Sequence, residues 1–212
     1  MEVKRLVANG YSVDHRSPGD STPLFFACQY GRLEVVRWLI ESGADVNHRN
    51  CDGLTPMETA ADSGGLETLQ LLVRHGARVN VATDSGWTPL HTLGKCGHAT
   101  AFKWLVSQGA AINARNDVGG TPLHLAALGH WPRLFKWMLL NGADPSARTV
   151  TGVTVLHMAA GAVNPHMVNL LLVAGADAHA RDAEGRTALA RVKNTRRGDA
   201  RRRQQVAALL EQ

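Results

Sequence analysis

A short string recurs along this 212-residue chain at a constant interval, and that interval constrains the fold more strongly than any other feature. The string opens with a threonine, which stands 33 residues from the next one at Thr22, Thr55, Thr88, Thr121, Thr154 and Thr187. A glycine keeps the same spacing at Gly53, Gly86, Gly119, Gly152 and Gly185. A sustained period of this kind indicates a repeat array, in which each unit buries its apolar face only against its neighbours.

The residues of one unit predict two short helices and a loop. Thr121 can cap a helix with its hydroxyl, and Pro122 follows at the first helical position, where a missing N–H costs nothing. The second helix is read most easily in the first repeat, where apolar residues recur at helical spacing in segment 33–42 and Gly43 ends the helix. The polar segment 44–53 is typical of a hairpin-like loop.

The strings "TPLHLAA" and "GADVN", repeated at this spacing, resemble the ankyrin repeat over nearly the whole chain. The resemblance implies an all-α ankyrin-repeat solenoid, a curved stack of helix pairs with hairpin-like finger loops and a concave palm. We expect a single ankyrin-repeat domain over residues 1–212. It comprises an N-terminal half repeat at 1–19, repeats starting near 20, 53, 86, 119 and 152, and a C-terminal capping repeat at 185–212.

The resemblance also implies a non-catalytic scaffold or adaptor that binds a partner protein segment through its palm and fingers. No Walker loop, G-x-S-x-G or H-E-x-x-H motif occurs in the sequence, so we expect no enzyme, no catalytic residue and no cofactor. The alternative is a substrate-recognition or targeting region of a larger multidomain protein, such as an enzyme or a ubiquitin ligase subunit. The incomplete first repeat favours this alternative.

Cysteine usage predicts a reducing compartment. The three cysteines are far apart and form no C-x-x-C pair, which argues against both a disulfide framework and a zinc site. No apolar run approaches the roughly 18 residues of a membrane helix. We therefore expect the cytosol, ahead of the nucleus, and no membrane association.

Histidine occupies one position of three successive repeats, as His91, His124 and His157. Neighbouring helices pack about 8–10 Å apart, so such histidines fit poorly around one metal, whose ligand nitrogens lie within about 2.1 Å of it. The resemblance implies instead that each imidazole bridges adjacent repeats through backbone hydrogen bonds. Glu58 holds this position in the second repeat, and either a hydrogen bond to His91 or an outward-turned carboxylate is compatible with the sequence.

In ankyrin arrays, the positions that vary between repeats tend to line the palm and the fingers. Mapped onto this chain, the candidate partner-binding residues are Tyr30, Asp52, Leu54, Asp62, Asp84, Ser85, Trp87, Lys95, Asp117, Val118, Leu128 and Trp131. The aspartates predict a partner with basic residues beside an apolar anchor. For Trp87, partner contact and local packing stay open, whereas packing is favoured for Trp131. Nucleic acid is not expected as a ligand, and the chain by itself is expected to be a monomer.

Arginine shares a further register, at Arg16, Arg49, Arg115, Arg148 and Arg181. A solvated loop flank is favoured over a binding role there, because exposed charges contribute little by themselves. The net charge of +5 has another source, the run from Arg191 to Arg203, where seven basic residues accompany the single acid Asp199. A solvated capping face is favoured for this run, while a nuclear-import patch and a nucleic-acid contact stay open.

One modification is implied by the resemblance alone. Asn47, Asn80 and Asn113 each follow a leucine by eight residues, at Leu39, Leu72 and Leu105. Asparagines of ankyrin loops in that setting can be hydroxylated by an asparaginyl hydroxylase, so these three are candidate modification sites.

Overall fold

The computed structural model describes residues 5, 7, 9–129, 131–195 and 199–211. These residues contain twelve helices, joined by loops, and no β-strand. The helices are α1 (Pro23–Gln29), α2 (Leu33–Glu41), α3 (Pro56–Asp62), α4 (Leu66–Arg74), α5 (Pro89–Cys96), α6 (Ala99–Ser107), α7 (Pro122–Ala126), α8 (Pro132–Leu140), α9 (Val155–Gly161), α10 (Pro165–Val173), α11 (Ala188–Asn194) and α12 (Ala200–Leu210). Each odd-numbered helix is the first of a pair, and an extended loop precedes it. This arrangement confirms the predicted all-α fold of paired helices.

The recurring threonines start the first helix of each pair, as predicted. The hydroxyl of Thr121 accepts the backbone N–H of His124, and the hydroxyl of Thr154 accepts that of His157. The same cap is present at Thr22, Thr55 and Thr187. The caps satisfy backbone donors that the first turn of a helix leaves without partners, so they explain why the helices begin at these positions.

The turn between the two helices of a pair needs a residue with positive φ. Glycine supplies it in the first three full repeats, with φ of 61° at Gly31, 68° at Gly64 and 77° at Gly97. The fifth repeat has Val163 at this position, with φ of 53°. A β-branched residue is strained there, and its side chain, 2 % exposed, is held by burial. The turn geometry is therefore retained where its usual residue is absent.

The chain divides into two compact units. The first comprises residues within 1–93 and 98–111. In it α1 packs on α3, α2 on α4, and α4 on α6. Leu24, Leu39, Leu69 and Phe102 are fully buried in these contacts. Stacking of like helices on like is the packing that a repeat of two amphipathic helices requires, because neither helix covers its apolar face alone.

The second unit comprises residues within 94–97 and 112–212. Here α7 packs on α9 and α9 on α11, while α8 packs on α10 and α10 on α12. Leu123, Phe135, Leu156 and Leu171 form the core, each no more than 1 % exposed. The last helix, α12, closes the stack with Val206 and Leu210, both buried.

Two of the recurring histidines lie in this second unit and bridge its repeats, as predicted. The Nδ1 atom of His157 accepts the N–H of Thr154 at 3.2 Å, and its Nε2–H donates to the carbonyl of Arg186 at 2.9 Å. His124 makes the equivalent bonds to Thr121 and to the carbonyl of Val153. Burial lowers the pKa of both imidazoles, to about 4 for His124, so both are neutral at physiological pH.

Replacing His157 by alanine is expected to lower the free energy of unfolding by about 2 kcal/mol, because two buried backbone groups lose their partner. Denaturant titration followed by circular dichroism measures this change. His179→Ala is the matched control, since His179 is exposed and should leave the stability unchanged. Equal stability of both variants would contradict the bridging role.

The lowered pKa of His124 predicts a pH dependence of stability. The unfolded imidazole titrates near 6.5 and the folded one near 4, so the unfolded state binds more protons between these values. The stability contributed by the neutral imidazole is present above pH 6.5 and is lost as the pH falls towards 4. Because carboxylates titrate in the same range, the difference between wild type and His124→Gln is the measurement. The wild type should lose more stability on acidification than the variant.

Candidate functional site

An open cleft of about 440 Å³ lies within the first unit, between successive loops and first helices. Five of the predicted partner-binding residues line it, namely Asp52, Leu54, Asp62, Ser85 and Trp87. We call this site, defined by those residues and the further ones below, the Trp87 cleft. The sequence analysis placed these five on separate loops and helices, and the structure brings them to one place.

Six further residues line the Trp87 cleft and were not among the predicted binding residues. They are Phe25, Gln29, Glu58, Thr59, Thr83 and Thr92. Most of them belong to the first helices, α1, α3 and α5. Glu58 and Phe25 carried a detectable signal, because both stand where other repeats have histidine, and Gln29 is one of the first-helix positions that vary between repeats. The three threonines have no feature in the sequence that marks them.

Side chains at the base of each loop fix the walls of the Trp87 cleft. The Oδ1 atom of Asn50 accepts the N–H groups of Asp52 at 3.0 Å and Leu54 at 2.9 Å. In the next repeat the hydroxyl of Thr83 accepts the N–H of Trp87 at 3.1 Å. These bonds hold Leu54 and Trp87 in equivalent positions of successive loops, so the cleft is formed before any ligand arrives.

Trp87 is half-buried, and its indole lies against His91. The ring centroids are 5.7 Å apart and the planes are inclined by 45°. His91 is itself fixed, since its Nδ1 accepts the N–H of Thr88 at 3.1 Å. Trp87 therefore both packs locally and lines the cleft, so the two interpretations left open by the sequence are compatible.

The predicted hydrogen bond between Glu58 and His91 is wrong, and so is the alternative of an outward-turned carboxylate. Glu58 is 4 % exposed, and its Oε2 accepts from the backbone N–H and the hydroxyl of Thr55, which completes the N-terminal cap of α3. The other oxygen, Oε1, is buried and has no hydrogen-bond partner among the described residues. Glutamate at this position thus prefers its own helix terminus, which lies three residues away.

Burial raises the pKa of the Glu58 carboxyl, and the two bonds from Thr55 and the charge of Arg49 offset part of that effect. A buried carboxylate with one oxygen unsatisfied is costly in free energy, since that oxygen has exchanged water for no other donor. Glu58 is therefore the least satisfied polar group among the described residues of the cleft.

Two predicted binding residues of the first unit do not line the Trp87 cleft. Asp84 forms an ion pair with Arg49, at 2.8 Å between Oδ1 and Nη2. Arg49 also donates to the carbonyl of Ala82 at 2.7 Å. The carboxylate of Asp84 thus pairs with the positive charge of Arg49. Tyr30 is 67 % exposed at the end of α1.

The predicted binding residues of the second unit are dispersed. Asp117 and Val118 are exposed in the loop before α7. Leu128 lies at a separate cavity of about 370 Å³, where Arg186 and Arg191 also form part of the lining. Both arginines form ion pairs with the buried carboxylate of Asp182, at 3.1 and 2.9 Å. Their charges are therefore paired within the C-terminal part of the chain.

Trp131 has a packing role in the second unit, as the sequence favoured. Its indole N–H donates to the carbonyl of Lys95 at 3.1 Å, and 40 % of the residue is exposed. A Cβ atom added to Gly97 would clash with the indole, so the ring fills the space that this glycine leaves. Lys95 itself is exposed.

The sequence favoured a solvated loop flank for the arginine register, whereas the structure shows three of its members bonded to the next loop. Arg49 donates to the carbonyl of residue 82, Arg115 to that of residue 148, and Arg148 to that of residue 181. Each of these bonds joins one loop to the loop 33 residues further on. The register therefore ties neighbouring loops together, and it is interrupted in the third repeat, where alanine stands at position 82.

The three candidate asparagines use both ends of their amides in the same way. Asn47 donates to the carbonyl of Gly76 at 3.0 Å and accepts the N–H of Arg78 at 2.9 Å. Asn80 and Asn113 repeat this pattern one and two repeats later. Their hydroxylation stays a prediction.

Most described charges of the C-terminal basic run are paired. Arg191 binds Asp182, Lys193 lies 3.4 Å from Glu211, and Arg202 lies 3.7 Å from Asp199. Arg203 donates to the carbonyl of Thr195. This supports the interpretation as a capping face. Arg196 and Arg197 lie outside the described residues.

Within the described ranges, no group of three His, Cys, Asp or Glu side chains is arranged to hold a metal ion. Over the same residues, no helix has the length and hydropathy needed to cross a bilayer.

Gly97→Ala is expected to destabilise the protein through a clash with Trp131 as well as through its φ of 77°. Gly142→Ala is the matched control, because Gly142 has φ of 90° but open space around it, and should lose only about 1–2 kcal/mol. Thermal unfolding of both variants, and of Gly97→Ala with Trp131→Ala, separates the two effects. An equal loss in the two single variants would contradict the packing of Trp131 on Gly97.

Comparison with known proteins places this architecture in a family. A model of ankyrin repeats in three copies matches residues 2–83 and 79–149, and a model of ankyrin repeats in many copies matches 150–191. Among solved structures, the crystal structure of the human ASB11 ankyrin repeat domain matches with a TM-score of 0.84 and 28 % sequence identity. The match covers 98 % of this chain and 90 % of that chain. A comparison with curated protein sequences found no match. The paired helices, the recurring caps and the family models together show that this chain belongs to the ankyrin repeat family.

Proposed function

We propose that this protein is a non-catalytic interaction module whose Trp87 cleft binds a segment of a partner protein. The observation that carries the proposal is the convergence of five variable positions on one open cleft, while the recurring residues are engaged in holding repeats together. Ankyrin repeats are in general protein-interaction modules, and variable surface positions are where such arrays differ from one another.

Three features of the Trp87 cleft support a protein ligand. Its volume of about 440 Å³ suits one or two side chains, and its walls carry both an aromatic ring and carboxylates. Tryptophan is enriched at the centres of protein interfaces, because it combines a large apolar surface with an N–H donor. The acidic residues Asp52 and Asp62 favour a partner segment with basic residues beside an apolar anchor.

Affinity capture with the intact chain tests the proposal. Proteins retained by wild type and lost with Trp87→Ala, identified by mass spectrometry, are the expected result, with binding weakened at least about tenfold. Tyr11→Ala is the matched control, because Tyr11 is an exposed aromatic residue outside the cleft. Asp52→Lys is a second variant at an exposed position, chosen because it cannot disturb the core.

Partners that bind wild type, Trp87→Ala and Asp52→Lys equally would overturn the assignment of the Trp87 cleft. Circular dichroism of each variant accompanies the capture, so that a loss of binding is not confused with a loss of structure.

A second candidate is a recognition region within a larger protein, such as an enzyme or a ubiquitin ligase subunit. The observation that favours it is that the matched structure is described as a domain. An antibody raised against this chain distinguishes the two. A band at the mass of the 212-residue chain supports a separate module, whereas a larger band supports the recognition region.

Two further properties complete the proposal. We place the protein in a reducing compartment, the cytosol ahead of the nucleus, because its three cysteines are far apart in the sequence and form no C-x-x-C pair. Hydroxylation of Asn47, Asn80 or Asn113 would add about 16 Da each to the intact mass, and coexpression with an asparaginyl hydroxylase tests it.

A further inference from the structure

We propose that the Trp87 cleft binds the side chain of one arginine of the partner, with the guanidinium meeting Glu58 and Asp52 and lying against Trp87. This inference rests on the proposed function, since a partner segment supplies the arginine. It goes further by naming the side chain that the cleft recognises and the atoms that recognise it.

The buried Oε1 atom of Glu58 is the first argument. Thr55 occupies the other carboxylate oxygen with two hydrogen bonds, so Oε1 is the atom with which this carboxylate can meet a ligand. Glu58 is only 4 % exposed and yet lines an open cleft. An N–H donor delivered into the cleft would satisfy an oxygen that the folded chain leaves without a donor. A cationic donor would do so most strongly, because charge-assisted bonds are about twice as strong as neutral ones.

The charge of the lining is the second argument. Of the described residues that line the cleft, three are acidic and none is a lysine or an arginine. Asp52 is exposed at its rim, and no cation of the described chain lies within ion-pair distance of its carboxylate. Arg49 is the arginine whose charge acts on Glu58, and its guanidinium is engaged with Asp84 and with the carbonyl of Ala82. The carboxylates that line the cleft therefore favour a positively charged ligand.

The shape of the donor is the third argument, and it distinguishes arginine from lysine. A guanidinium is planar, carries five N–H donors and is weakly hydrated, so it can lie against an aromatic face while it binds carboxylates at its edge. The cleft offers these surfaces together, since Trp87, Glu58 and Asp52 all line it. Phe25 and Leu54 supply an apolar surface for the methylene groups of the arginine stem. An ammonium ion has neither the flat face nor the number of donors to use all of these groups.

Titration of the full-length ¹⁵N-labelled chain with N-acetyl-arginine amide tests the inference directly. We expect saturable shifts of the Trp87 indole N–H and of the backbone N–H groups of α3. N-acetyl-lysine amide should bind at least about threefold more weakly, and N-acetyl-glutamine amide should cause no saturable shift.

Glu58→Gln is the decisive variant, because glutamine at this position retains the cap of α3 while its amide group presents N–H donors to the cleft. It is expected to weaken N-acetyl-arginine amide binding about tenfold. Asp52→Asn should weaken it about threefold, since an exposed charge contributes less. Glu34→Gln is the matched control, an exposed acid on α2 outside the cleft, and should bind as wild type does.

The outcomes separate this inference from the proposed function. Equal binding of the arginine and lysine probes, or unchanged binding by Glu58→Gln, would overturn the arginine assignment. If captured proteins still depended on Trp87 in that case, the interaction module would stand and only its ligand side chain would change. Loss of both the Trp87-dependent capture and the arginine shifts would remove the two proposals together.

Discussion

Hydrogen bonds from recurring side chains to the backbone of the next repeat are the interaction on which this structure depends. Within each unit, short helices of five to eleven residues are too short to be stable alone, so neighbouring repeats must be held in register. Histidine does this between first helices and following loops, at His124 and His157. Asparagine and arginine do it between successive loops. All of these side chains donate to carbonyl groups about one repeat further on, so they fix how each repeat packs on the next.

The departure at Glu58 shows what happens when this interaction is absent at one position. Glu58 completes the cap of its own helix as the histidines do, but a carboxylate has no N–H with which to reach the next loop. One of its oxygens is then left without a donor, at the place where the loops and first helices of the first unit leave an open cleft. The residue that replaces histidine in this repeat therefore carries an oxygen without a hydrogen-bond donor, on a surface lined by variable residues.

The fold was largely predictable from the sequence, because each of its elements is specified by neighbouring residues. The threonine caps, the prolines that follow them and the glycines at positive φ all act within a few residues of their own position, and the period copies them along the chain. The bridges made by His124 and His157 follow the same rule, since one repeat stands for the next. The packing of Trp131 was favoured separately, because this residue does not recur. Val163 departs from this local rule, because burial holds a valine in a turn that other repeats form with glycine.

The candidate site was predictable only in part. Asp52, Leu54, Asp62, Ser85 and Trp87 were identified by varying between repeats, and the same criterion also selected Asp84, which the structure pairs with Arg49. Variation marks a position as unconstrained by the repeat, but it does not say which varied side chains converge. By itself, the sequence determined the repeat, its helices and the position of the recurring histidines, since these depend on local spacing. Only the tertiary structure decided which loops and helices share a cleft and which oxygen of Glu58 lacks a partner, because distances between side chains of different repeats are set by packing.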